Sequence, residues 1–254
     1  MNDKVDKAEI IVKRLGELLT KRRIIARAEL LQRVYQYVRE AGLDEAEREE
    51  LEKMLGKDHV AAGIFADILG GDPVFINLPH LDSAITLNDR IFHFMHAGNY
   101  GDDDFKEAYG QFQAALEELK GLVVLNLQDL LVEFMGGAGY LLENDSHGRI
   151  IFASGEKTIA FRIFPAIGDV MIVEGMEGSA IIVPHEESPG PFVDYFQEKG
   201  VATEEAGVKI WVANMEDGSI SPFIGYPKDM AIYKQFKNPR MALMVKDQWG
   251  RRME

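Results

Sequence analysis

The chain has 254 residues, 46% hydrophobic and 28% charged, ordinary globular proportions that exclude wholesale disorder. It contains no cysteine, which excludes disulfides, thiolate metal sites, iron–sulfur ligation and a cysteine nucleophile together. The net charge of −14 is unevenly spread: residues 1–40 carry ten Lys/Arg against six Asp/Glu, residues 41–145 six against twenty-one, and residues 146–254 twelve against fifteen. An acidic middle of this size repels a phosphate backbone, so nucleic-acid binding is disfavoured, while a local site reached through the basic first helix or through a bound metal stays open. No apolar run approaches the roughly 18 residues of a membrane span, and the charged N-terminal stretch has no signal-peptide core. The chain therefore reads as cytoplasmic.

In chain order, Ile11, Leu15, Leu18, Ile25, Leu31, Val34 and Val38 form an apolar stripe. The spacing predicts one long helix over residues 3–41, or two in succession. Lys21, Arg22, Arg23, Arg27 and Arg33 lie among them, as an anion- or partner-docking surface or as a solvated helix face. Gly42 ends the segment, and Asp44 with Glu47 forms a capping-box-like start for a helix over 45–55. A short helix over 59–69 then runs into Gly70, Gly71, Asp72 and Pro73.

Residues 73–86 read as an ordered connection with a short extended piece. A helix is expected from Thr86 or Asn88 to His96. It would place Asp89, His93 and His96 at i, i+4 and i+7 on one face, a spacing that suits a transition metal with His80 as a further ligand, or simply makes a polar face. Asp102, Asp103 and Asp104 open the next helix, where the macrodipole favours negative charge; it is expected to end at Gly121, with another from Leu127 to Met135.

After Gly139 the pattern becomes β-like, with strands expected over 140–144, 149–154, 157–164, 169–174 and 179–184. A helix over 190–200 and a strand over 209–214 follow, with 219–226 able to pair with that strand. The fold class is α+β: a helical region over 1–137 packed against a mixed-sheet domain with flanking helices over 138–254, to which the helix 126–137 can also belong.

The order over residues 126–214, helix, meander, strand, helix, parallel strand, resembles restriction-endonuclease-like, PD-(D/E)XK domains. The resemblance covers about a third of the chain and is one of topology. It implies a divalent cation, Mg²⁺ or Mn²⁺, held by Glu133 on the leading helix, Asp169 opening a strand, and Glu186 as a displaced ligand, with His185 as base. The acid–x–Lys of that family is missing, since the strand reads Ile182, Val183, Pro184, His185, Glu186. The loop from Pro184 to Pro191 lies where α/β proteins bind ligands, between a strand end and a helix start, and is read either as a site or as a rigid turn.

Amphipathic helices, segregated charge and the lack of a complete catalytic constellation favour a non-catalytic interaction or regulatory protein, a subunit of a larger assembly with a basic protein partner. The alternative is a divalent-metal phosphodiesterase or nuclease-like enzyme.

Overall fold

The structure is a computed structural model that describes residues 7–43, 47, 81–88, 90–96, 98–146, 149–172, 176, 179–185, 190–215 and 218–221. It is α+β, as its sequence suggests, and divides into two compact units, Met1–Leu122 and Val123–Glu254. The expected helices over 45–55 and 59–69 lie outside the described residues.

In the first unit, α1 (Lys7–Arg22) and α2 (Arg27–Ala41) are separated by a three-residue strand, β1 (Ile24–Ala26). The break falls at Arg23, whose φ of 58° lies in the left-handed region. Gly42 closes α2 at φ 57°, its N–H bonded to the Arg39 carbonyl, the usual service of glycine at a helix C-terminus. Two further strands, β2 (Leu81–Leu87) and β3 (Arg90–His96), form a hairpin that gives the sheet order β1-β3-β2. Asn88 turns the hairpin at φ 51°, in place of starting a helix.

The expected helix ending at His96 is thus a strand. Phe92 and Phe94 face the next helix, while Met95, on the opposite face, is also fully buried. A strand covered on both sides loses the alternation that would identify it.

α3 (Asp102–Gly137) is one continuous helix of 36 residues where two were expected. The Asp104 carboxylate accepts from the Gly101 N–H at 2.9 Å, and the Asp104 N–H donates back to the Gly101 carbonyl at 3.1 Å, a reciprocal N-terminal cap. Gly121 does not break it. An interior glycine costs only about 1 kcal/mol against alanine, and Leu119 and Leu122 hold the inner face in a core with Ile24, Phe94, Phe105 and Phe112. At the far end Tyr140 N–H bonds the Met135 carbonyl and Gly139 adopts φ 81°, which closes the helix in a Schellman-type turn.

The second unit contains a six-stranded mixed sheet ordered β4-β5-β6-β7-β8-β9: Leu141–Ser146, Arg149–Ser154, Lys157–Ile163, Ala180–Pro184, Lys209–Asn214 and Ser219–Ser221. β4, β5 and β6 form an antiparallel meander, β6, β7 and β8 run parallel, and β9 returns antiparallel to β8. α4 (Gly190–Glu205) joins β7 to β8.

Alternation along the strands divides the core. Ile181 and Val183 of β7 and Ile210 and Val212 of β8 meet Phe192, Val193 and Phe196 of α4. On the other face Trp211 packs edge-on against Phe161 and against Phe134 of α3, with ring centroids 4.7 and 5.9 Å apart. Among the described residues no helix is long and apolar enough to cross a membrane.

Candidate functional site

The parallel strands bring three C-terminal ends to one edge of the second sheet. Pro184 of β7 stands opposite Ala213 of β8, the His185 N–H donates to the Ala213 carbonyl at 2.7 Å, and the Phe164 N–H beyond β6 donates to the Ile182 carbonyl. His185 is therefore fixed by its backbone at the mouth of the β7–α4 connection, half-buried. Glu186 lies outside the described residues.

Asp169 does not open a strand. It ends a single 3-10 turn, Ile167–Asp169; Ile167 and the following Val170 are both fully buried against α4. The place beside β6 that a strand over 169–174 would need is occupied by β7. Lys199 of α4 reaches back to the turn, its ammonium donating to the Val170 carbonyl at 2.9 Å. Glu133 is an exposed residue of α3. Among the described residues no three His, Asp or Glu side chains group to hold a metal ion, so Glu133, Asp169 and His185 do not by themselves build the cation site that the nuclease resemblance implies.

The hairpin of the first unit redistributes the other expected ligands. In a strand, His93 and His96 are three residues apart and face opposite sides; Asp89 and His80 lie outside the described residues. His96 is buried at 7% exposure. Its Nδ1 donates to the Gly98 carbonyl at 2.6 Å, which leaves Nε2 to accept the Ser83 hydroxyl at 2.7 Å. Both ring nitrogens are used, and Tyr100 and Phe105 cover the ring edge-on. His96 thus anchors the chain between β3 and α3. His93 Nδ1 lies 3.1 Å from an Asp82 carboxylate oxygen, with Arg27 at 3.5 Å. Burial alone would raise the Asp82 carboxyl, but His93 and Arg27 hold it below its usual value.

The basic N-terminal segment is neither a solvated face nor an open anion surface throughout. Four of its arginines engage carboxylates of the same unit: Arg14 with Glu40 and Arg22 with Glu29, each at 2.6 Å, Arg27 with Asp82, and Arg33 with both oxygens of Glu118 at 2.6 and 3.1 Å. The pair of Arg22 and Glu29 is the deepest. Glu29 is fully buried, its Oε1 and the Arg22 Nε have no hydrogen-bond partner, and burial raises the Glu29 carboxyl despite Arg22 and Arg33. Sequence reasoning did not find these pairs because all four join different elements, at separations set by the fold.

Residues 163–238, from the end of β6 through β9 and beyond, match the family described as "Domain of unknown function (DUF6834), C-terminal domain". No curated protein matches the chain.

Proposed function

We propose that this protein acts by binding another protein, as a non-catalytic interaction or regulatory component of a larger assembly, and that its partner presents basic groups. One observation carries the reading. Of the ten bases of residues 1–40, Lys7, Arg14, Arg22, Arg27 and Arg33 pair with carboxylates inside the first unit, whereas α3 carries eight carboxylates against two lysines, all eight on exposed residues. An acidic surface of this kind speeds encounter with a basic partner and discriminates against acidic ones. Affinity capture on the immobilised full chain, at low and at high salt, tests it. A salt-sensitive partner is expected; capture of nothing across both conditions would overturn the reading.

A second reading, a divalent-metal phosphodiesterase or nuclease using Glu133, Asp169, His185 and Glu186, is supported by the order of elements from α3 to β8. The described carboxylates do not fit a cation, and no catalytic step follows from them. Calorimetric titration of Mn²⁺ into the wild-type chain and Asp169→Ala decides it. Binding that is lost in the variant would revive the metal enzyme; absence of binding removes it.

A further inference from the structure

Two arginines of the second sheet stand opposite each other with no acid between them. Arg149 of β5 and Arg162 of β6 are register partners in the antiparallel meander, so both side chains leave the same face. The turn at Gly155 and Glu156 closes on Ser154 and Lys157, the hydrogen-bonded pair of a two-residue hairpin. Alternation from there makes Arg149 and Arg162 a non-hydrogen-bonded pair, the kind whose Cα atoms lie only about 4.5 Å apart and whose side chains are closest.

Like charges set directly opposite destabilise a sheet. Among the described residues nothing offsets this pair, since neither guanidinium has a hydrogen bond or an ion pair. Arg14, Arg22, Arg27 and Arg33 of the first unit each have a carboxylate.

The surroundings of the pair supply an independent indication. Arg162 is level with Ile181 of β7, which packs beneath α4, so the arginines share the sheet face that α4 covers over β7 and β8. Next to them on that face Ile151 stands opposite Ala160, both half-buried, and Asn144 of β4 stands opposite Ile151. Leu141, farther along β4 on the same face, is 76% exposed. No residue with a register partner on this face of β4, β5 or β6 is acidic. Asp145 is turned to the other face, where Gln128 of α3 donates to it at 2.6 Å. In a chain of net charge −14 this face is basic and apolar.

Adjacent guanidinium forks suit a ligand with two negative charges and several oxygens, which a phosphate monoester has and a single carboxylate lacks. The neighbouring apolar row suits a nonpolar ester group. We propose that this face binds a small phosphate monoester, its phosphoryl group between Arg149 and Arg162 and its apolar body over Ile151 and Ala160. The site is independent of the interaction reading above.

Calorimetric titration of phenyl phosphate, inorganic phosphate and benzoate into the full chain tests it. Phenyl phosphate should bind most tightly, inorganic phosphate less tightly for want of the apolar body, and benzoate least. Arg149→Gln and Arg162→Gln should each weaken phenyl phosphate about tenfold or more. Lys157→Gln removes a positive charge from the opposite face and should leave binding unchanged. Because the pair is repulsive, the ligand-free arginine variants should melt no lower than wild type, yet lose the rise in melting temperature that phenyl phosphate gives.

No binding by the wild-type chain, equal weakening in Lys157→Gln, or benzoate as tight as phenyl phosphate would each overturn the site. Lower melting of both ligand-free variants would assign the arginines to the fold and overturn it as well. A phosphotyrosine peptide that bound more tightly than phenyl phosphate would overturn the small-molecule source in favour of a protein-borne phosphate.

Discussion

Removing Arg22 should damage the first unit far more than removing the carboxylate it binds. Glu29 is buried with a side-chain exposure of 1%, its Oε2 lies 2.6 Å from Arg22 Nη2, and its Oε1 has no partner. In Arg22→Met neither oxygen has a hydrogen bond and the carboxylate has lost its nearest charge, so the cost belongs to the ~3–5 kcal/mol typical of a broken buried pair. In Glu29→Leu the group left over is Arg22, whose side chain is 18% exposed. It can turn its head to water and keep its stem packed, which limits the loss to about 1 kcal/mol. Arg22→Met/Glu29→Leu should then recover most of the stability lost in Arg22→Met.

The pH dependence has a definite sign. The folded pKa of Glu29 is raised, so its contribution favours folding at pH values below its unfolded value and is lost as pH rises through the folded one. Losing Arg22 removes an interaction that lowers this pKa, so the penalty of Arg22→Met should grow from acid toward neutral pH. Urea unfolding followed by circular dichroism between about pH 5 and pH 8 measures both effects. Equal losses for the two single variants, or a larger loss in Glu29→Leu, would refute the reasoning.

Three further outcomes follow from other parts of the fold. Gly42→Ala should destabilise by about 1 kcal/mol in the same assay, because φ 57° burdens any Cβ although the space around it is open. Asp82, whose folded pKa is depressed, supports folding above its unfolded value and loses that support as pH falls through the folded one. Asp82→Asn should therefore flatten the acid limb of the stability curve, and an unchanged limb would remove His93 and Arg27 as its partners. Phe161→Ala should cost about 3–5 kcal/mol, since the ring is fully buried between Phe152 and Trp211, and Trp211 emission should shift to the red.

Much of the second sheet was legible in the sequence. The strands over 149–154 and 209–214 occupy the expected residues, because each is a short apolar run bounded by a turn. The segment 169–174 has the same apolar character yet begins in a 3-10 turn, because the strand neighbouring β6 is set by tertiary pairing, which no local pattern encodes. Gly121 misled for the opposite reason: its local penalty is real but small, and the inner face of α3 overrides it. The β2–β3 hairpin carried a turn signal in Asn88 and Asp89, but apolar residues on both faces of β3 imitated a helix, and with that the apparent metal face of Asp89, His93 and His96 dissolved. The nuclease-like constellation was drawn from topology, and topology positions backbone ends without specifying which carboxylates converge there.

Charge segregation along the sequence is a poor guide to charge on the surface. The excess of bases in residues 1–40 suggests a cationic patch, yet Arg14, Arg22, Arg27 and Arg33 are directed toward carboxylates on α2, β2 and α3. Each such pair removes an arginine from the set available to phosphates. It also uses one acid, so the first unit keeps its net charge while losing its most versatile anion-binding groups. Arginine recognises phosphate through the same planar fork that Arg33 presents to Glu118. A phosphate that recruited Arg22 would have to displace such a contact, at the cost of leaving Glu29 buried beside an empty place. The carboxylates of α3, by contrast, all lie on exposed residues, so drawing one to a basic group would leave no carboxylate buried alone.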